Sequence, residues 1–329
     1  MTSFNSYAAV VEITTSDTSY TNTVLITGSS SLGERIIGIY NAGSRNIIVN
    51  ATSGTITSAE TNDHNTAAGI YSDSTVNSNT ITNYGTITVM NSGNNSNATG
   101  IRSYQSNNIL TNYGSITATT LGVGGDSFGI RSTQDNNILT NYGSITATTL
   151  GVSGDASGIS SFGNNNSLTN SGNITATTEG GGWATGIDSS GDSNILTNSG
   201  SITATAVNGQ AVGIYSFGNN NALTNSGNIT ATADNEEADG ILSFGNNNAL
   251  TNSGSLTATA GDGGKVYSLA SVGDSNTLTN SGSITATVGG NGLAVAIYSE
   301  STTTGSTLTN SGTVTASGGA GSTAVAIQN

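Results

Sequence analysis

No cysteine occurs among the 329 residues, and histidine appears once, at His64. Without cysteine there are no disulfides and no thiolate chemistry, and the redox compartment stays open. Any Ser/His nucleophilic site would have to use His64 alone, inside the loop-like run Glu60-Thr61-Asn62-Asp63-His64-Asn65. The chain is therefore expected to be no enzyme and to carry no cofactor. Basic residues number five (Arg35, Arg45, Arg102, Arg131 and Lys265) against a net charge of -14. That balance removes the cationic footprint on which nucleic-acid binding and attraction to anionic lipid depend. No apolar stretch approaches the length of a spanning helix, so membrane insertion is not expected. Met1 leads into Thr-Ser-Phe-Asn-Ser-Tyr, which has neither the basic nor the apolar region of a secretory leader. The expectation is export by another address, or origin as a piece of a longer precursor.

Large aliphatics are scarce too. Leu, Ile, Val and Phe make up roughly a fifth of the chain, a level that ordinarily reads as disorder. Two features oppose that reading: charged residues are only 7%, and the aliphatics are locked to a repeat. The phrase Leu-Thr-Asn-(Ser/Tyr)-Gly-x-Ile-Thr-Ala-Thr returns, with variation, around Gly54, Gly85, Gly114, Gly143, Gly172, Gly200, Gly227, Gly254, Gly282 and Gly312, at steps of 27 to 31 residues. A fixed period in this range means one unit stacked on itself.

Within one unit, Asn221, Leu223, Asn225, Ile229 and Ala231 alternate with Ala222, Thr224, Asn228, Thr230 and Thr232. That is the two-residue period of strands, here two short ones joined at a glycine. Upstream, Gly213-Ile214-Tyr215 has counterparts at Gly38-Ile39-Tyr40, Gly69-Ile70-Tyr71, Gly100-Ile101-Arg102, Gly129-Ile130-Arg131 and Gly186-Ile187-Asp188, which supply a third strand. Three strands, one glycine turn and one loop of variable length account for the step. The predicted fold is an all-β, single-domain parallel β-solenoid with three short strands per coil and about ten to eleven coils. A propeller needs about 40 residues per blade, and a leucine-rich repeat needs a frame that is absent. Residues 37–329 fit the repeat, and residues 1–36 fit it poorly enough to read as a cap or entry coil.

The repeat lays residues into columns. Leu110, Leu139 and their successors form one aliphatic stack, and Ile116, Ile145 and theirs form another. Between them run Asn108, Asn137, Asn166, Asn194, Asn221, Asn248 and Asn276, and the longer column Asn112, Asn141, Asn170, Asn198, Asn225, Asn252, Asn280 and Asn310. Amides stacked at strand spacing bond along the column, so these read as structural ladders. Each turn glycine, Gly200 for example, is expected to adopt a conformation that a Cβ would strain.

Repeats such as Leu-Thr-Asn-Ser-Gly-Ser-Ile-Thr-Ala-Thr at 196–205 and 278–287 resemble those of bacterial autotransporter passenger domains and related secreted adhesin-type β-helices. The resemblance covers residues 37–329 and implies a right-handed β-helix in an extracellular or cell-surface setting. Two features of such proteins are not seen: a signal peptide and a carboxy-terminal membrane barrel. The resulting expectation is a non-enzymatic structural or adhesive element, with self-association head to tail into filaments and possible contact with a host surface or glycan. Head-to-tail joining is expected because Ala324-Val325-Ala326-Ile327-Gln328-Asn329 stops within a coil. The competing expectation is a ligand-binding solenoid for ice or glycan.

Candidate surface features follow from the same columns. Thr117, Thr146, Thr175, Thr203, Thr230, Thr257 and Thr285 run beside Thr119, Thr148, Thr177, Thr205, Thr232, Thr259 and Thr287. Ranks of Thr-x-Thr on solenoids resemble those of ice-binding proteins, though threonine is also simply a good outward strand residue. Tyr84, Tyr113 and Tyr142 share one column, and Tyr104, Phe162, Phe217 and Phe244 another; stacked rings grip sugars or fill corners. The run Asp234-Asn235-Glu236-Glu237-Ala238-Asp239, with Asp126, Asp155 and Asp262, offers oxygens for calcium but reads better as solvated loops. Asp188, Asp192 and Asp239 have no evident Arg or Lys partner, which argues against sugar-cleaving carboxylate sites.

Overall fold

A computed structural model describes residues 7–30, 35–73, 77–301 and 305–329. The leader reading at Met1 and part of the 1–36 segment lie outside the described residues. The protein is a β-solenoid of about eleven turns with three strands per coil, and no helix occurs among the described residues. Three parallel sheets of twelve, eleven and eleven strands run the length of the molecule, each strand pairing with its counterpart one coil away. At the strand spacing of about 4.8 Å, eleven rungs make a rod of about 50 Å.

One coil shows why the sequence folds this way. Ala211–Phe217 belongs to the first sheet, Ala222–Asn225 to the second and Asn228–Ala233 to the third. Leu223, Ile229 and Ala231 are buried while Ala222, Thr224, Asn228 and Thr230 are exposed, as the two-residue alternation demands. Register then stacks like on like: Leu196, Leu223 and Leu250 in one file, Ile202, Ile229 and Leu256 in another. Each buried aliphatic contributes roughly 1.5–3 kcal/mol, and every coil reuses the same few.

The coils begin early. Tyr7–Ile13, Ser19–Asn22 and Leu25–Ser30 pair in register with Arg35–Asn41, Ile47–Asn50 and Thr55–Glu60. The segment expected as a cap or entry coil thus already carries all three sheets.

Apart from Asn310 the two asparagine columns are buried, but they bond differently. In the longer one, each side-chain amide donates to the carbonyl oxygen of the next: Asn198 Nδ2 to Asn225 Oδ1 at 2.7 Å, and Asn225 Nδ2 to Asn252 Oδ1 at 2.8 Å. The ladder runs from Asn22 through Asn50 and Asn83 to Asn310. In the other, each side-chain oxygen accepts from the backbone N–H one coil earlier, as Asn221 Oδ1 does from Asn194 N at 2.7 Å. This second column turns a corner. The residue before each of its asparagines, such as Asn220 (φ 60°) or Asn247 (φ 58°), is left-handed, which asparagine tolerates better than most side chains do.

The turn glycine is required for a different reason from the one expected. Gly200 is not among the residues of positive φ. A Cβ there would lie 2.0 Å from the carbonyl oxygen of Gly172, its counterpart one coil earlier. Close approach between backbones, not local strain, demands glycine. Gly227, Gly254 and Gly282 face the same 2.0 Å contact with the glycine before them.

Candidate ligand-binding face

In the first sheet Ala211, Gly213 and Ile214 all face the core, so the two-residue alternation slips at the glycine, and Val212 and Tyr215 turn outward. Unlike the other two outer faces, this one is packed. Ile37, Tyr40, Ala68 and Tyr71 form a buried cluster toward one end. Val212, Leu242 and Ala270 form a second, with Tyr215, Phe244, Tyr267 and Tyr298 against it. Between the two clusters lies a polar stretch built from two files, Thr99-Phe128-Ser157-Thr185 and Arg102-Arg131-Ser160-Asp188, each aligned strand to strand.

The arginines are held by rings. The Arg102 guanidinium carbon lies 4.5 Å from the centroid of Tyr104, and that of Arg131 lies 4.4 Å from the centroid of Phe128. Tyr71 and Phe162 stand farther off, each at 5.8 Å. Burial raises the Tyr71 hydroxyl to about 12, with Tyr104 adding to the effect, so it stays a neutral donor. Trp183 meets Tyr215 edge to face at 6.1 Å and is 44% exposed, while Phe217 is 54% exposed. Apolar rings, hydroxyls and guanidinium groups on one surface can bind a ligand that has both a flat apolar side and polar edges.

Two carboxylates on this face are perturbed. Asp188 is raised to about 6, chiefly by burial and further by Asp155; the Ser190 hydroxyl, donating at 3.2 Å, and the charge of Arg131 oppose the rise. Asp188 makes no ion pair among the described residues, but the charge of Arg131, two rungs away in the same file, still bears on it. The sequence hid this because the two are 57 residues apart. Asp239 is fully buried, with Gln210 Nε2 donating to Oδ2 at 2.8 Å and Oδ1 unpartnered. Burial pushes its carboxyl well above the usual range, with the nearby Glu237 charge adding.

That shift gives a pH prediction. The folded chain holds a proton on Asp239 that the unfolded chain releases above about pH 4, so the group lowers stability progressively as pH rises beyond the ordinary carboxylate range. Asp239→Asn is expected to raise the melting temperature at pH 7 by at least about 2 °C and to leave it nearly unchanged near pH 3.5. Calorimetry at the two pH values checks this, and an equal gain at both would contradict it.

The other candidates fall elsewhere. The threonine files lie in register on the outer face of the third sheet, Thr117 on Thr146 and Thr119 on Thr148. The first file continues through Thr88 and Thr57 to Thr27, whereas the second gives way to Met90 and Ala59. Outward threonines also file along the second sheet, Thr111 on Thr140 and Thr224 on Thr251, so threonine marks outward positions on two faces. Tyr84, Tyr113 and Tyr142 stack on one another at 4.9 Å, within 12° of parallel, which occupies the facing ring surfaces a sugar would need. The loop carboxylates do not converge; among the described residues no three His, Cys, Asp or Glu side chains gather as a metal site. Instead Asp155 Oδ1 accepts from Trp183 N at 2.8 Å and Asp262 Oδ1 from Gly290 N at 2.7 Å, tying one coil to the next. Glu236, Glu237 and Lys265 line a shallow pocket of about 110 Å³. His64 sits exposed in a left-handed loop position (φ 63°).

Sequence reasoning missed the arginine pair. Its only signal was that Arg102 and Arg131 both follow a Gly-Ile, 29 residues apart. Set against known protein families, curated proteins and solved structures, the chain matches none.

Proposed function

We propose that this solenoid is a non-catalytic, rod-shaped adhesive element that holds glycans on the outer face of its first sheet. The observation that supports it is the composition of that face: two ring-bearing apolar clusters flanking a stretch of hydroxyls and guanidinium groups, repeated at strand spacing along a stiff rod. Tilted rings such as Tyr215 and Phe244 (54°) and Tyr267 and Tyr298 (52°) leave faces open for sugar stacking. An extended polymer suits such a surface, because several weak contacts along one chain add. The extracellular setting belongs to this proposal through the resemblance of the repeats to secreted passenger domains.

Screening immobilised glycans against the protein and against a Trp183→Ala/Phe217→Ala variant tests the reading. Both residues are exposed, so the fold should survive, and binding is expected to fall about tenfold. Undiminished binding in the variant, or no glycan bound by either protein, sinks it. Head-to-tail self-association is a separate expectation, read by light scattering: a mass that grows with concentration supports it, and a constant monomer mass refutes it.

A further inference from the structure

Two of the five basic residues in an acidic chain occupy adjacent rungs of one file. Strands about 4.8 Å apart bring these two like charges close, and they repel unless something compensates. Among the described residues no carboxylate is hydrogen-bonded to either. The ionisable neighbours that bear on Arg102 are Tyr104, Arg131, Tyr71 and Arg35, two of them cations, and burial depresses its pKa first of all. By contrast, Arg45 meets Asp17 through two bonds of 2.7 Å. The Nε atoms of Arg102 and Arg131 are both buried without a hydrogen-bond partner, and so are the hydroxyls of Thr99 and Ser160 beside them, residues that are themselves fully buried. Four unpartnered polar groups lie in neighbouring rungs of one face, each costly to leave unpaired, and no carboxylate is among the ionisable groups that bear on Arg102.

We infer that Arg102 and Arg131 bind the acidic group, carboxylate or sulfate, of an anionic saccharide. This rests on the glycan-binding reading above and names its ligand class. The guanidinium groups, 4.5 Å from the centre of the Tyr104 ring and 4.4 Å from that of Phe128, each carry two terminal NH2 groups, and such paired N–H donors match a carboxylate or sulfate in two bonds. Arg131 also feels Asp188 and Asp126, so Arg102 is the stronger anchor.

Four arginines give four Nε–Hε signals, which makes the test direct. The intact protein, labelled at arginine and assigned with Arg102→Lys and Arg131→Lys, is titrated with a uronate oligosaccharide, a sulfated oligosaccharide and a neutral one of the same linkage. The expected result is saturable movement of the Arg102 and Arg131 signals with one or both acidic sugars, with Arg45 unmoved. Affinity for the acidic sugar should exceed that for the neutral one about tenfold, with the gap closing in high salt. Which acidic sugar acts tells carboxylate from sulfate. Arginine signals that stay still, or move equally with the neutral sugar, overturn the inference. Neutral-sugar binding that still depends on Trp183 and Phe217 would then leave the broader glycan reading intact, whereas acid-selective movement of the two arginines without dependence on those rings would uphold the anion site and remove the broader reading.

Discussion

Gly200→Val is expected to cost about 4 kcal/mol or more, and to split the unfolding transition of the rod. The new Cβ would stand 2.0 Å from the Gly172 carbonyl oxygen and 2.7 Å from the Ser171 carbonyl carbon, both backbone atoms one coil away. Backbone cannot swing aside as a flexible side chain does. Gly200 N also donates to Asn170 O at 3.2 Å, and Ser201 N to Gly172 O at 3.0 Å, so separating the coils to relieve the clash breaks the bonds that hold them in register. A solenoid coil contacts only its neighbours, which makes one forced gap a boundary between two separately melting halves. Gly305, with no described residue within 4 Å of its would-be Cβ, is the control: Gly305→Ala should stay within about 0.5 kcal/mol. Urea denaturation followed by circular dichroism reads both, and a Gly200→Val protein as stable as the parent would overturn the assignment of that contact.

Asn225→Leu should destabilise by about 2–4 kcal/mol although it adds apolar surface. The change removes the acceptor at 2.7 Å from Asn198 Nδ2 and the donor at 2.8 Å to Asn252 Oδ1, and both neighbours remain buried. Stranding buried amides costs more than the leucine gains, because neither can turn to water. Asn310, exposed at the last rung, is the comparison: its replacement by leucine leaves only Asn280 without one acceptor, and a smaller loss is expected. A neutral or stabilising Asn225→Leu in chemical denaturation would mean that the column is solvated.

The fold was legible because its determinants are local and periodic. Leu223 and Ile229 alternate with Thr224 and Thr230 within a few residues, and the glycine spacing fixes the coil length, so strand number and stacking follow directly. The corner chemistry was only half legible. Asn221 was visible as part of a column, but not that its oxygen takes the Asn194 backbone N–H where the Asn225 oxygen takes a side-chain amide. That distinction depends on how the chain bends at Asn220, which spacing does not encode. The requirement for glycine at 200 was readable, but its cause lies in contact with residue 172.

The candidate face was the least legible part. Tyr104, Phe162, Phe217 and Phe244 were seen as a column, yet their neighbours across the sheet, Arg102, Arg131 and Asp188, are brought together only by parallel register. Within any one coil each of these residues looks like an isolated polar residue after Gly-Ile. Asp239 likewise read as part of an acidic loop, whereas the strand Glu237–Phe244 turns it into a buried position between Val212 and Tyr267.

The chain's sole tryptophan, Trp183, lies at the edge of this face against Tyr215, so its fluorescence reports directly on ligand arrival there. Titration of the intact protein with oligosaccharides is predicted to give a saturable change in Trp183 emission, steeper for the acidic sugars and lost in a Tyr215→Ala/Phe217→Ala variant that keeps its β-sheet spectrum. Glycan binding, measured independently by calorimetry, that leaves Trp183 emission unchanged would contradict the assignment of this face, and no binding of any glycan would contradict the function built on it.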